Sequence, residues 1–219
     1  MRNLKRALSL ALATVMTLGL MVVGTGAAAA GYDDVTSEDN VEAIEVLQTV
    51  GIMTGDENGN FNPDANVTRN EMAVIMSQLL NLNYDYYRGT NPFTDVPSWA
   101  APYVAACAAE GVVAGIGDNL YGGDNNVTAA QASLMILKAL GYFQYQADFG
   151  GDWQISTIRQ ASYIKLFSGV DANAEQALTR NQVAQLVLNG LKADMVYFTG
   201  DVGITVNGVV IGHKSEYTS

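Results

Sequence analysis

The chain has 219 residues, 49% of them apolar and only 15% charged, which excludes a disordered polymer and allows one sizeable core or several small units sharing one. Its formal charge is −11, an acidic balance that argues against nucleic acid and against direct attraction to anionic lipid. The single cysteine, Cys107, excludes an internal disulfide, and the lone His213 has no Cys or second His with which to build a metal site or a catalytic pair.

Arg2, Lys5 and Arg6 precede an apolar run from Ala7 to Val23 and a small-residue stretch from Gly24 to Ala30. This is the layout of a signal peptide cut after Ala30. A transmembrane anchor is the competing reading, but a run of about 17 residues is at the short limit for spanning, and the small residues behind it favour cleavage. Removing residues 1–30 takes three of the 11 Lys+Arg and none of the 22 Asp+Glu, so the mature, exported chain carries −14 and no transmembrane segment.

The first unit, residues 31–90, opens at Tyr32-Asp33-Asp34-Val35, followed by a helical stretch with Val41, Ile44, Val46, Leu47 and Val50 as apolar positions. Gly51-Ile52-Met53-Thr54-Gly55 stops it, and a turn-rich loop runs from Asp56 to Pro63. A second helix starts at Thr68, with Met72, Ile75, Met76, Leu79 and Leu80 on one stripe. Unit two, residues 91–147, repeats the order: Phe93-Thr94-Asp95-Val96, a helix containing Trp99, Tyr103, Val104 and Cys107, a turn from Gly111 to Gly115, then a helix from Thr128 with Ala132, Met135, Ile136, Ala139 and Leu140. Cys107 reads as a small core residue in that Ala-rich run. Unit three, residues 148–194, is more diverged. Asp152-Trp153 begins a helix through Ile155, Ile158, Ala161 and Ile164; Leu166-Phe167-Ser168-Gly169 replaces the turn; and Val183, Leu186, Val187, Gly190 and Leu191 take the stripe offsets. Gly55, Gly115 and Gly169 are assigned structural roles in these turns.

Each second helix begins alike. Thr68, Thr128 and Thr179 stand three residues before Glu71, Gln131 and Gln182, and Val67, Val127 and Leu178 precede them. That spacing is a capping box with a hydrophobic staple. Three such starts imply a repeat architecture. A lone helix-loop-helix cannot bury its apolar face, so the units should share a core. The expected fold is mainly α: three helix-loop-helix repeats about a pseudo-threefold axis with a shared central helical bundle, a linear solenoid being the alternative. Residues 195–219 change pattern, and Gly203–Ile211 reads as a β-hairpin across Asn207-Gly208 in a type I′ turn. Two strands alone are marginal in water, so the hairpin either docks on the helices or begins a further segment.

The repeated order resembles the S-layer homology (SLH) family, whose units run Phe-x-Asp-Val, helix, Gly-Ile-x-x-Gly, a loop with Phe-x-Pro, and Thr-Arg-x-Glu. Unit one matches through Asp34-Val35, Gly51-Ile52, Gly55, Phe61-Asn62-Pro63 and Thr68-Arg69-Asn70-Glu71. Unit two matches through Phe93-Thr94-Asp95-Val96, Trp99, Gly111, Gly115 and Thr128, with Ala129 in place of Arg; unit three keeps Thr179-Arg180-Asn181-Gln182 and has lost the Phe-x-Pro loop. The resemblance implies a cofactor-free, non-catalytic module that anchors exported proteins to the bacterial cell wall. It would bind secondary cell-wall polysaccharide carrying pyruvate ketals, or modified peptidoglycan, in grooves between units. Carried over, the ligand-contacting arginines are Arg69 and Arg180, with Thr68, Thr179 and Trp99 beside them; Ala129 leaves the middle groove without its arginine.

The residues support an anion site on their own terms. An arginine at the first helical position faces the positive end of the dipole, where a cation is unfavourable, so helix stability gives no reason for it. Free amides at a helix start attract anions, and a guanidinium pairs a carboxylate bidentately. The bland alternative is an arginine paired with a nearby Asp. Trp99 could stack on a sugar face or fill the core. Two other functions stay open. A secreted glycoside hydrolase needs a proximal carboxylate pair in a dry pocket, yet the acids here lie in polar loops, and Glu71 is better explained as a capping residue. In a calcium-dependent surface assembly protein, Asp56-Glu57-Asn58-Gly59-Asn60 would resemble an EF-hand loop, but Phe61 and Val67 stand where Gly and Glu are needed, so a turn fits better. Calcium between other acidic loops, and self-assembly, are further possibilities.

Overall fold

The computed structural model describes residues 31–206 and 209–219; the assigned signal peptide and the Asn207-Gly208 turn lie outside the described residues. Within them the chain is mainly helical, with six α-helices and a two-stranded antiparallel sheet. The helices are α1 (Val41–Thr49), α2 (Arg69–Leu79), α3 (Ala101–Ala109), α4 (Ala129–Ala139), α5 (Trp153–Tyr163) and α6 (Arg180–Lys192). Short 3-10 turns at Tyr84–Tyr87 and Gln146–Phe149 link the units.

Helices α2, α4 and α6 start identically because each carries its own cap. The Thr68, Thr128 and Thr179 hydroxyls accept from the amides of Glu71, Gln131 and Gln182, whose side chains accept in return from the threonine amides at 2.7, 3.2 and 3.0 Å. Substituting such a threonine typically costs about 1 kcal/mol. The stripes on these helices are buried. Met72, Met76, Ala132, Val183, Leu186 and Val187 are wholly inaccessible, and so are Ala73, Leu137 and Leu188 to one side of the stripe. Burial wider than one stripe is what a helix acquires when several neighbours surround it. At Gly190 the contact is so close that a Cβ there would lie 2.7 Å from Ile136 Cγ2.

Three residues ahead of the caps form the centre. The Val67 amide donates to the Leu178 carbonyl at 3.0 Å, the Leu178 amide to Val127 at 3.1 Å, and the Val127 amide to Val67 at 2.8 Å. The three bonds close a ring, and all three side chains are fully buried. At the opposite ends of the same helices, Leu79, Leu80, Ile136, Ala139, Leu140, Gly190 and Leu191 line one crevice. Outside these helices, α3 packs on α2, α5 on α4, and α1 on α6. The first and last units are thus in direct contact: the Asn40 amide, ahead of α1, donates to Asn181 Oδ1 in α6 at 2.8 Å.

The first helix of each unit ends in one motif. Gly51, Gly111 and Lys165 adopt φ of 72°, 70° and 61°, and the next residue's amide reaches back to Leu47, Cys107 and Ala161. This Schellman ending favours glycine, because an L side chain in the left-handed region is strained. Cys107 is fully buried and its thiol donates to the Ala73 carbonyl at 3.3 Å; burial pushes its pKa up to about 12, so it is inert packing.

Two expectations change. The predicted apolar face of α5 is rotated: Ser156, Thr157 and Ala161 are buried, while Ile155 is 65% exposed. The Asp152 carboxylate caps the Gln154 and Ile155 amides and Ser156 Oγ donates to the Phe149 carbonyl at 2.7 Å, which fixes the helix start and turns small residues toward α4. The hairpin is longer than its apolar segment, with β1 at Tyr197–Val206 and β2 at Val209–Thr218. It docks on the helices. The Val196 amide donates to the Leu140 carbonyl at 2.8 Å, Phe198 packs on Tyr145, and Tyr217 packs on Tyr142 and donates its hydroxyl to Asp148.

Lys165→Gly should stabilise the protein by about 1 kcal/mol, because it removes a left-handed non-glycine residue from an exposed turn. Urea unfolding monitored by circular dichroism would show a higher midpoint at an unchanged slope.

Candidate functional site: the junctions between units

The amides that begin α2, α4 and α6 are not free. Those of Arg69 and Asn70 donate to Asn125 and Gly123 of unit two, those of Ala129 and Ala130 to Gln176 and Ala174 of unit three, and those of Arg180 and Asn181 to Ala65 and Pro63 of unit one, all at 2.8–3.0 Å. The threonine and Glu/Gln side chains satisfy the rest of each first turn. The expectation of open backbone amides at these helix starts is therefore corrected: the donors a helix end normally leaves orphaned are used to join neighbouring units.

Both arginines lie across these junctions. Arg69 is 6% exposed; its Nε donates to the Tyr121 carbonyl and one η nitrogen to the Ala114 carbonyl, each at 3.1 Å, while its guanidinium carbon stands 4.5 Å from the Tyr121 ring centre. The Tyr121 hydroxyl donates back to the Arg69 carbonyl at 3.1 Å. Arg180 repeats the geometry on unit one, donating to the Phe61 and Thr54 carbonyls at 2.7 and 2.8 Å with its guanidinium 4.6 Å from the Phe61 ring centre. Stacking of this kind contributes on the order of 1 kcal/mol or more where it is desolvated. Among the described residues neither arginine forms an ion pair, so simple pairing with a nearby Asp is not what holds them. Carbonyls and a ring of the neighbouring unit, not the helix dipole, account for an arginine at these positions.

The receiving loop is held by an aspartate. Asp34 accepts from the Phe61 and Asn62 amides at 2.9 and 2.6 Å, and Asp95 from the Tyr121 and Gly122 amides, both at 2.7 Å. The Tyr121 amide above all holds the Asp95 carboxyl below its ordinary pKa; burial opposes it, and the Gly122 amide and the Arg69 charge add to it. Asp152 of unit three caps its own helix instead. Gly55 and Gly115 let an aromatic ring cross the loop: a Cβ would lie 2.4 Å from the Tyr32 ring or 2.7 Å from that of Phe93. Gly169 differs, with a left-handed φ of 74°.

The structure brings Arg69, Thr68 and Glu71 to the unit-one/unit-two junction, and Arg180, Thr179 and Gln182 to the unit-three/unit-one junction. Ala129 is fully buried and extends nothing across the second junction. Arg180 is the more open arginine; burial lowers its pKa somewhat, opposed by Glu71, Tyr32, Asp56 and Asp34 around it. Its second η nitrogen has no partner among the described residues. Trp99 precedes α3 rather than lying within it and is 54% exposed, so it is not a core residue. Sequence reasoning missed Tyr121, although it stands six positions after Gly115, as Phe61 does after Gly55.

Asp56 Oδ1 accepts from the Asn58 and Asn60 amides, which makes its loop a turn. Among the described residues no group of three or more His, Cys, Asp or Glu has metal-holding geometry. No described helix is long and apolar enough to cross a membrane.

Comparison with known proteins agrees with this repeated geometry. The S-layer homology domain family matches residues 31–73 and 92–133. The chain is 29% identical over 191 residues to the Middle cell wall protein of Brevibacillus brevis, covering 85% of this chain and 18% of that protein. It is 29% identical over 148 residues to the Surface layer protein of Brevibacillus choshinensis, covering 64% of this chain and 13% of the relative. It is 23% identical over 225 aligned positions to the Cell surface protein of Thermoanaerobacter kivui, covering all of this chain and 29% of the relative. The chain thus spans less than a third of the length of each of these proteins.

Two predictions test the junction. Arg69→Ala should destabilise the fold by about 2–4 kcal/mol, since it strips the donor from two carbonyls at a buried contact, whereas Arg180→Ala should cost about 1–2 kcal/mol at its more open site; denaturant titration of both variants measures the difference. Asp95 has a folded pKa below its unfolded value, so its contribution is present above an unfolded pKa of about 3.9 and is lost as pH falls through the lower folded value. Asp95→Asn should therefore show a smaller fall in unfolding midpoint between neutral and acidic pH than the parent. Together with the repeated unit order, these comparisons identify residues 31–73 and 92–133 as matching the S-layer homology domain family.

Proposed function

We propose that this chain is a non-catalytic anchor that holds an exported polypeptide at the bacterial cell wall by binding secondary cell-wall polysaccharide in grooves between its units. In this reading residues 31–90, 91–147 and 148–194 are three SLH units about a pseudo-threefold axis with a shared central bundle. Residues 1–30 direct export, and residues 195–219 follow as a docked hairpin. The relatives named as wall and surface-layer proteins support the location. The ring of Val67, Val127 and Leu178 supports the arrangement.

One observation carries the ligand assignment. Arg180 holds its guanidinium across the junction of units three and one with one η nitrogen unpaired among the described residues, and it is only part-buried where Arg69 is 6% exposed. A pyruvate ketal offers a carboxylate suited to that edge. Arg69 is enclosed in the equivalent junction and serves it mainly as a structural clamp, and Ala129 offers no cation. The groove of Arg180 is thus the principal site, Arg69 and Trp99 are secondary contacts, and Thr68 and Thr179 act by capping the helices that carry the arginines. The backbone amides take no part, because neighbouring units already use them.

Arg180→Gln should lower the affinity for purified, pyruvylated wall polysaccharide at least about tenfold, the loss of one charge-assisted pairing. Arg69→Gln should lower it less at equal folded fraction. Calorimetry on the two variants, with circular dichroism as the folding control, decides the assignment; undiminished binding by the folded Arg180→Gln variant overturns it.

A further inference from the structure

After α2 the chain turns through Asn81 and forms the 3-10 turn Tyr84–Tyr87, which packs on α3. Leu82, Asn83, Tyr86, Tyr87, Ala106 and Glu110 line an open cleft of about 200 Å³. That is below the roughly 300–1,000 Å³ of pockets for drug-sized ligands and suits a single ring. The platform is braced: Tyr84 packs on Tyr103 with ring centres 4.3 Å apart, the Leu82 amide donates to Ser77 at 2.9 Å, and the Tyr86 amide donates to Asn83 at 3.2 Å. Tyr86 is nevertheless 81% exposed, with its ring set edge-on to Tyr87 at 5.4 Å. Tyr86 and the part-exposed Tyr87 form one contiguous aromatic patch, and contiguous exposed apolar surface marks interaction sites.

The equivalent stretch after α4, sixty positions on, shows what such a surface does when it is used within the fold. There Tyr142 and Tyr145 pack against Tyr217 and Phe198 of the hairpin, and Tyr145 is 50% exposed against 81% for Tyr86. The hairpin could not sit the same way after α2, because Leu82, Asp85 and Arg88 stand where Tyr142, Tyr145 and Asp148 engage it. Arg88 is already paired with Asp85 at 2.7 Å, so the platform offers no unpaired cation to an anionic ligand. What it offers is an exposed aromatic face with a carboxylate (Glu110), an amide (Asn83) and phenol hydroxyls at its edge. That combination suits a ring with an apolar C–H face and a rim of hydroxyls.

We propose that the Tyr86–Tyr87 cleft is a second, charge-independent glycan subsite, in which an uncharged pyranose stacks on Tyr86 while its hydroxyls donate to Glu110 and Asn83. It rests on the wall-glycan reading only for the polymer that supplies the ring. The subsite would bind sugars that carry no ketal, while the Arg180 groove reads the carboxylate.

The test uses the full folded chain and wall polysaccharide from which the pyruvate has been chemically removed, with binding followed by calorimetry and by tyrosine ring resonances in NMR. Tyr86→Ala should weaken binding to this polymer about fivefold, as the loss of one aromatic contact implies. Tyr163→Ala, at an equally exposed tyrosine outside the cleft, should bind the same polymer as the parent does. Equal binding by Tyr86→Ala and the parent overturns the proposal, as does a parent that ignores the depyruvylated polymer. A shift from dimer to monomer on Tyr86→Ala in sedimentation, without glycan, also overturns it by showing the patch to be a contact between copies. Loss of binding in Arg180→Gln on the pyruvylated polymer alone bears on the arginine groove and leaves the tyrosine subsite standing.

Discussion

The ring of three backbone hydrogen bonds joining Val67, Val127 and Leu178 is the constraint on which the rest of the molecule depends. It fixes the spacing of three chain segments at one point. The caps that follow immediately start three helices from that point in one direction. Each helix start then faces the loop of the next unit, so its first amides and its arginine, where present, meet carbonyls there. Neighbouring units are therefore joined by backbone groups, and side-chain identity matters less than the position of the chain. This explains how Ala129 can replace an arginine without loss of the second junction: the Ala129 and Ala130 amides still reach Gln176 and Ala174 at 2.9 Å.

The division between folding and recognition is narrower than the motif suggests. Thr, Glu and Gln in the repeated stretch are occupied by capping. The arginine clamps carbonyls of the neighbouring unit in both junctions that have one, enclosed at Arg69 and only part-buried at Arg180. Asp34 and Asp95, in the motifs that open the first two units, hold the loop whose carbonyl the arginine grips. Most of the acidic charge thus serves backbone amides or faces water.

What was legible in the sequence was local. Capping boxes, stripes and the helix-ending glycines depend on residues a few positions apart, and six helices form near where the pattern puts them, with Trp99 left just ahead of α3. The arginine clamps were not legible, because their partners are carbonyls far along the chain whose positions follow from the closed arrangement. Tyr121 was within reach, since its offset from Gly115 matches that of Phe61 from Gly55, but a search for Phe-x-Pro passes over it. The α5 face misled because isoleucines outrank serine and threonine in any hydrophobicity count, whereas close packing on α4 favoured the smaller side chains. The outer parts of the hairpin, rich in Gly, Asp, Lys and Ser, carry no apolar alternation to announce them.

The bond between Asn40 and Asn181 spans 141 positions, and it has a consequence for when the protein can fold. The α1 helix rests on α6, so the unit made first has no finished surface until the unit made third is present. Domains commonly fold from the N-terminus while the chain emerges, but here an early fragment meets only an incomplete ring. The α1 helix therefore gains its α6 partner only once the third unit has been made.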